Sequence, residues 1–445
     1  MRRGRLIMIE RSLRTWACLF LLIGGCAAPR DDDPVVPPPP NPVETLPDGE
    51  NRNEPAAPDG EDGEEVAVRI RVTHIKFDHK PNDAGFTDAL DIRADRANDL
   101  QHKGSGQGEG EWISGTRNEA ALYLADRTVT VLVRLEAPVA VTAADIEARA
   151  SPNGLRHLKK RTVQFVNGVS REGTSEYVTF TPSGNTSTSI KKIVDSWDWT
   201  ATDVRIPNAP LPGPIRMRST GPHTTYTVLA QPHAQWYGEE QTHPWVSALE
   251  FALVTAGADG KTRVGDAAAQ FTEFVFSGYG LSYSGADQGG RKYIDGDVFD
   301  LTSFMTRGRG KLVACQDTAA AVHVLTNLVG GQSVYRHVDP FGCLQRVQVI
   351  GIGLCNNPFH ESPAFAGTGA RVNDDAAPGV PTRSYFNFHT WVELNGAYYD
   401  ATMGPFLGTT AQQYFTSTID RSTIAEKAVT FPPFTSNLTT RAKFK

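Results

Sequence analysis

Gly310-Lys311-Leu312-Val313-Ala314-Cys315-Gln316-Asp317-Thr318-Ala319-Ala320-Ala321 is a glycine-led apolar approach to a cysteine, followed by small residues suited to a helix. From Gln316 to about Leu328, Ala319, Val322, Leu325, Thr326 and Val329 recur at three- and four-residue steps, the period of an amphipathic helix packed on a core. Cys315 then stands at or beside the helix N-terminus. Unpaired N–H groups and the positive end of the macrodipole favour negative charge on sulfur there, which makes Cys315 a candidate nucleophile. The alternative for a lone cysteine before a helix is a buried, inert thiol.

A second stretch weighs against inertness. Phe388-His389-Thr390-Trp391-Val392-Glu393-Leu394 reads as a strand, Asn395-Gly396 is the favoured two-residue type I′ turn, and Ala397-Tyr398-Tyr399-Asp400-Ala401-Thr402 returns. The turn sets the register: Leu394 opposes Ala397, Glu393 opposes Tyr398, Val392 opposes Tyr399, Trp391 opposes Asp400 and Thr390 opposes Ala401. His389, Trp391, Glu393, Tyr398, Asp400 and Thr402 therefore share one face. Asp400 is the diagonal neighbour of His389, and diagonal pairs stand about 7–8 Å apart at the backbone, a gap that two side chains can bridge. A thiol, an imidazole and a carboxylate that fixes the ring's tautomer are the parts of an acyl-transfer site.

These residues, in the order Cys315, His389, Asp400, resemble the core of the transglutaminase-like superfamily over roughly the C-terminal half of the chain. The resemblance implies a papain-like arrangement, in which a cysteine-bearing helix packs on an antiparallel sheet bearing His and Asp. It makes Cys315 the nucleophile, His389 the general base and Asp400 the orienting acid, with Trp391 and Glu393 as supporting residues on the same face. It also implies acyl transfer through a thioester and leaves the acceptor open; the expected activity is that of a peptidase or amidase more than a crosslinker, on a protein or peptide amide such as cell-wall peptide. No cofactor is implied. A family that borrows an upstream side chain as a second oxyanion donor draws attention to Tyr279 and Tyr283, whose other reading is core packing. Since the superfamily includes members without activity, the competing function is a lipoprotein that uses the same fold only to bind protein or wall material.

Residues 1–25 read as an export signal, with Arg2, Arg3, Arg5, Arg11 and Arg14 preceding the apolar run Trp16 to Ile23. Ile23-Gly24-Gly25-Cys26 resembles a bacterial lipoprotein cleavage box. This makes Cys26 the lipidated residue, an ordinary cleaved signal being the alternative, and predicts an envelope protein anchored to a membrane by lipid, the outer membrane being favoured in a cell with two because Ala27 is not acidic. Residues 26–65 are acidic, contain the run Pro37 to Pro40, and are almost devoid of large apolar side chains, as a tether is.

Residues 66–230 contain alternating runs at Val66 to Val72, Thr128 to Leu135 and Thr162 to Val166, with further strands at Tyr177 to Phe180 and Thr225 to Leu229. Turn residues between them suggest an antiparallel β-sandwich, immunoglobulin-like in kind. The glycines from Gly104 to Gly110 lack the strand-to-helix context of a phosphate loop. Residues 231–445 form the expected transglutaminase-like domain, making the whole an α+β chain. Helices are predicted from Trp245 to Thr255 and from Asp266 to about Phe276, ending before Gly257 and Gly278. Asp295, Asp297 and Asp300 offer the hard oxygen ligands calcium prefers, but their spacing matches no recognised loop, so no metal is assigned.

The sequence holds five cysteines and a formal net charge of -6, with no basic stripe, which argues against a nucleic-acid partner. Cys18 falls in the signal and Cys26 takes the lipid, leaving Cys315, Cys343 and Cys355. In an oxidising envelope an odd cysteine is either paired between molecules or reactive. A Cys343–Cys355 bridge flanking the strand-like Val347 to Ile350 leaves Cys315 as the odd one; two reduced thiols are the alternative.

Overall fold

The structure, a computed structural model, describes residues 68–77, 89–90, 92, 111–150, 157–209, 211, 213–237, 243–284, 291–295, 298–338, 341–358, 385–386, 388–420 and 436–437. The export signal, Cys26, the tether, the Gly104–Gly110 loop and Asp297 lie outside these residues. The described residues all fall within one compact unit, Val66–Lys445. Among the described residues no helix is long and apolar enough to cross a membrane.

The first half of this unit is built from β1 (Arg71–Phe77), β2 (Glu111–Ile113), β3 (Arg117–Asn118), β4 (Ala121–Leu124), β5 (Val131–Glu136) and β6 (Ala143–Ala150). It continues through β7 (Leu158–Val166), β8 (Val169–Arg171), β9 (Val178–Phe180), β10 (Lys191–Arg205), β11 (Ile215–Arg216) and β12 (Thr220–Val228). All belong to one sheet of order β3-β2-β1-β5-β8-β7-β6-β10-β12-β4, with β9 beside β5 and β11 beside β10. Strand β5 shows the expected period: Val131, Val133 and Leu135 are buried, and the residues between them are half-buried.

The strands expected to build an antiparallel β-sandwich belong to a single hydrogen-bonded sheet that folds over on itself. Strands far apart along the hydrogen-bonded path meet face to face: the Phe77 ring of β1 lies 6.1 Å from Trp197 of β10 and 5.5 Å from His223 of β12. Phe180 of β9 lies 5.8 Å from Trp199 of β10. A single sheet, continuous in its hydrogen bonds, curves over its own core. It is not wholly antiparallel either, because β12 and β4 pair in parallel.

That parallel pair is a wall between two cores. Ala121 and Tyr123 of β4 enter the core of the curved sheet, while Leu122 and Leu124, together with Tyr226 and Val228 of β12, enter a second core shared with the C-terminal half. The second core is also tied to the end of β12 by a close approach. Gly330, at φ +100°, leaves no room for a side chain, since a Cβ there would stand 2.5 Å from the Ala230 nitrogen.

In the C-terminal half, α1 (Val246–Glu250) runs on into a wider π turn to Thr255, and α2 (Val264–Glu273) does the same as far as Gly278. There follow β13 (Ser282–Tyr283), the ribbon of β14 (Ile294–Asp295) and β15 (Val298–Phe299), α3 (Leu301–Thr306), β16 (Leu312–Val313) and α4 (Cys315–Leu328). The chain then forms β17 (Val334–Val338), β18 (Gly342–Cys343), β19 (Val347–Val349), β20 (Gly353–Cys355), β21 (Tyr385–Phe386) and β22 (His389–Leu394). After these come β23 (Ala397–Asp400), β24 (Phe406–Thr410), α5 (Ala411–Thr418) and β25 (Ser436–Asn437). A five-stranded sheet of order β24-β23-β22-β17-β25 packs on α4.

Helix α4 begins where its period predicts but is not amphipathic. Every residue except Gln316 is buried, which is the condition of a helix enclosed on all sides. Most of its polar residues, though not Thr326, find partners inside among the described residues: His323 bonds Ser333 Oγ through Nδ1 and donates to Gln235 Oε1 through Nε2, at 3.0 and 3.1 Å. The Ser333 N–H donates to Asn327 Oδ1 at 2.9 Å, and the Ser333 hydroxyl donates to the unprotonated Nδ1 of the neutral His323 ring. The pairing lets a sequence with Thr, His and Asn in three successive turns sit in a closed core.

Candidate active site

Strand β16 pairs in parallel with β13, Val313 beside Tyr283, and this delivers the chain to the head of α4. Ala314 is extended, at φ −98° and ψ 169°, and Cys315 is the first helical residue, 3% exposed. Its backbone N–H belongs to the first turn, whose N–H groups have no partner within the helix. Asp317, fully buried on that turn, closes the helix start. Its carboxylate accepts from Ala314 N–H at 2.9 Å, from Lys292 N–H at 2.9 Å and from Tyr293 N–H at 2.8 Å. Burial pushes the Asp317 carboxyl up from its ordinary pKa, and the three N–H bonds oppose that.

The hairpin of β22 and β23 forms as its turn chemistry dictates. Asn395 and Gly396 both have positive φ, at 52° and 79°, as a type I′ turn requires. The pairs Val392 with Tyr399, Glu393 with Tyr398 and Leu394 with Ala397 follow in the expected register. His389 and Asp400 meet: Nε2 of the ring donates to Asp400 Oδ2 at 2.7 Å, with the two side chains 0% and 1% exposed.

Asp400 is held on every side. Its Oδ1 accepts from Thr402 N–H at 2.7 Å and Met403 N–H at 3.3 Å, and its Oδ2 accepts a second bond, from the Tyr414 hydroxyl of α5, at 2.7 Å. The other ring nitrogen of His389, Nδ1, is buried with no hydrogen-bond partner among the described residues. Burial alone would lower the pKa of the ring, but the charge and hydrogen bond of Asp400, joined by the neighbouring Cys315, push it up to about 9. The imidazole is packed by Phe341, at 4.8 Å between ring centroids, and stacked beside Trp391 at 6.1 Å.

A second clasp joins the two halves of the site. Thr318 of α4 donates its hydroxyl proton to the Cys315 carbonyl at 3.0 Å, so the 2.6 Å contact between the Thr318 and Thr402 hydroxyls has Thr402 as donor. Both threonines are fully buried.

Of the other sequence candidates, Trp391 lies against His389, whereas Glu393 is engaged by Arg336 Nε at 2.8 Å, an ion pair across β17 and β22. Tyr283 comes to the site. Burial, then the nearby Cys315 and Asp400, push its phenol well above the ordinary value. Tyr279 does not, because its hydroxyl donates to the Phe304 carbonyl at 2.5 Å inside the core. Asp300 caps α3 through Ser303 N–H and pairs with Arg309, and among the described residues no three His, Cys, Asp or Glu side chains gather as a metal site would need.

The expected Cys343–Cys355 disulfide is corrected: Cys315, Cys343 and Cys355 are all thiols. Cys343 lies in the ribbon of β18 with β21, and Cys355 in the separate ribbon of β20 with β19, so the strand between them carries each cysteine into a different pairing. Sequence reasoning missed Asp317, Thr318 and Tyr414 as members of the site. Asp317, three residues after the helix-capping position, carried a readable signal as an N3 acid. Tyr414 carried none, being joined to Asp400 only through the fold.

No protein-family model matches the chain, and no curated protein sequence matches it. Among solved structures the chain is similar to the transglutaminase of red sea bream, at 10% identity and a TM-score of 0.32, over 63% of this chain and 49% of that one. The match thus spans about half the length of that enzyme, and it assigns no residue a role.

Proposed function

We propose that this chain is a thiol enzyme that cleaves or transfers amide bonds through a thioester on Cys315. The observation that carries the reading is the buried His389–Asp400 pair beside Cys315, with one ring nitrogen bonded at 2.7 Å and the other left without a partner among the described residues. A module that only binds has no use for an imidazole whose proton affinity is raised in a closed core next to a thiol.

In the proposed reaction His389 takes the Cys315 proton and the sulfur attacks an amide carbonyl carbon. The Cys315 N–H at the start of α4 donates to the oxyanion. His389 then returns the proton to the departing nitrogen as the C–N bond breaks, leaving an acyl thioester and a free amine. Water, deprotonated by His389, attacks the thioester; the carboxylic acid leaves and the thiol is restored. An amine in place of water gives transfer. Hydrolysis, by a peptidase or amidase, is the favoured outcome. The substrate is proposed to be a protein or peptide amide, cell-wall peptide among them, reached from an envelope membrane by lipid on Cys26.

The test is mass-spectrometric localisation of a thiol-directed probe, and of a trapped acyl thioester, on the purified protein. Labelling of Cys315 near neutral pH ahead of Cys343 and Cys355 is expected, with loss of any amidase activity in Cys315→Ala. Equal labelling of all three thiols, or full activity in Cys315→Ala, overturns the proposal.

A further inference from the structure

Among the described residues, Tyr414 is the one group outside the hairpin whose side chain bonds the Asp400 carboxylate, and it uses the same oxygen as His389. It comes from α5, held in place by the Thr410 cap, whose hydroxyl accepts from Gln413 N–H at 3.3 Å. Its ring is fully buried among Trp391, Phe406 and Phe415, at centroid distances of 5.2, 5.0 and 5.3 Å. Ring packing accounts for a phenylalanine at this position. It does not account for the hydroxyl.

We propose that Tyr414 is a positioning residue that sets both the direction of Asp400 Oδ2 and the strength with which Asp400 holds positive charge on His389. Two donors share one carboxylate oxygen, so each bond from Tyr414 withdraws electron density that would otherwise serve the ring. The phenol thus moderates the pair. Without it, Asp400 stabilises the imidazolium more strongly, and His389 gives up its proton to a leaving amine less readily.

Among the described residues, the titratable groups that face the pair are Cys315 from α4, Tyr283 from β13 and Tyr414 from α5, with Tyr398 behind Tyr414 and Tyr335 from β17 facing Cys315. Burial raises the pKa of each of these phenols, so none ionises while His389 titrates.

The inference rests on the thiol chemistry proposed above, and the experiment separates the two. The titration midpoint of His389 is read from the carbon NMR signal of its Cε1, and the alkylation rate of Cys315 by iodoacetamide is followed by mass spectrometry, both on the full chain. In Tyr414→Phe the midpoint should rise by about half a pH unit or more. In Tyr398→Phe, which removes a hydroxyl from the same aromatic cluster without touching Asp400, it should stay. An unchanged or lowered midpoint in Tyr414→Phe overturns the inference, as does an equal rise in Tyr398→Phe. Should Tyr414→Phe not fold, meta-fluorotyrosine at position 414, a stronger donor of the same shape, should lower the midpoint, and a rise or no change overturns the inference. If the midpoint moves as expected but wild-type Cys315 alkylates no faster than Cys343, the tuning stands and the enzyme reading fails. If Cys315 is fast and the midpoint is fixed, the enzyme reading stands and Tyr414 is a packing residue.

Discussion

Thr318 and Thr402 meet hydroxyl to hydroxyl at 2.6 Å, binding the first turn of the thiol-bearing helix to the loop that follows Asp400. The Thr402 hydroxyl donates to Thr318, and the Thr318 hydroxyl donates to the Cys315 carbonyl, so the two positions are not equivalent. Thr318→Val strands a buried donor on Thr402 and leaves the Cys315 carbonyl without this bond, which should cost about 1–3 kcal/mol. Thr402→Val strands no donor and should cost less. In a double-mutant cycle on urea unfolding, the double valine variant should lose less than the sum of the two single losses, and serine at either position should restore most of the stability. Additive losses would show that the two hydroxyls do not form one unit.

If Cys315 is the nucleophile, Cys315→Ala should abolish amide turnover, and His389→Ala should do nearly the same, because base and nucleophile act as one unit. Asp400→Asn should retain more, since an amide still accepts from Thr402 N–H but favours the wrong ring tautomer and cannot stabilise the imidazolium. Tyr399→Phe is the control. Tyr399 lies on the opposite face of β23, where its hydroxyl packs against Gly265 and Gly408 rather than the triad. Steady-state kinetics check the order, and a Tyr399→Phe loss as large as that of Asp400→Asn, with the fold intact, contradicts it.

Asp317 should prove a structural keystone of the helix start. Asp317→Ala leaves three backbone N–H groups without their acceptor, two of them from residues 292 and 293, and should destabilise by on the order of 3 kcal/mol. Asp317→Asn keeps one acceptor oxygen and should cost less. Denaturant unfolding gives the magnitudes, and hydrogen exchange at Lys292 and Tyr293 should accelerate in both variants. Unaltered exchange there would mean that the carboxylate does not hold that segment.

How much of this was legible in the sequence follows from how local each feature is. The hairpin register and the His389–Asp400 diagonal were readable because an Asn-Gly turn admits one close pairing, and the head of α4 was readable from its period. The wrapping of β1 over β10 was not, since strand order depends on contacts more than a hundred residues apart. Nor was the burial of α4 on every side. His323 and Asn327 look like a solvent face until Gln235 and Ser333 arrive to satisfy them. The spacing of Cys343 and Cys355 suggested a bridge because spacing carries no record of which strand each residue joins. Tyr414 shows the limit most plainly, because nothing near it in sequence hints at a carboxylate.

Three buried histidines should give the folded state opposite pH limbs. The ring of His323 has its pKa lowered from 6.5 to about 3 by burial and by nearby His233, and that of His223 is lowered from 6.5 to about 4 by burial among aromatic rings. Below pH 6.5 the unfolded chain binds protons that these two rings refuse, so their contribution is complete above the unfolded value and is lost as pH falls toward 4 and then 3. His389 runs the other way. Its folded pKa of about 9 lies above the unfolded 6.5, so the stability it brings is fully present below 6.5 and is lost as pH rises through 9. Glu136, Glu172 and Asp145, whose carboxyls are held below their ordinary values, add to the acid loss only from their unfolded values of 4.5 and 3.8 downward. Asp317, pushed up, gains rather than loses stability as it protonates. The onset of acid loss at pH 6.5 is therefore the signature of the histidines. Thermal unfolding across a pH series should show that onset, a shallower acid limb in His323→Gln, and a shallower alkaline limb in His389→Asn, whatever each substitution does to the absolute midpoint. A stability that stays flat from pH 6.5 down to the carboxylate range would mean that the two neutral rings take up protons in the folded chain as easily as in the unfolded one.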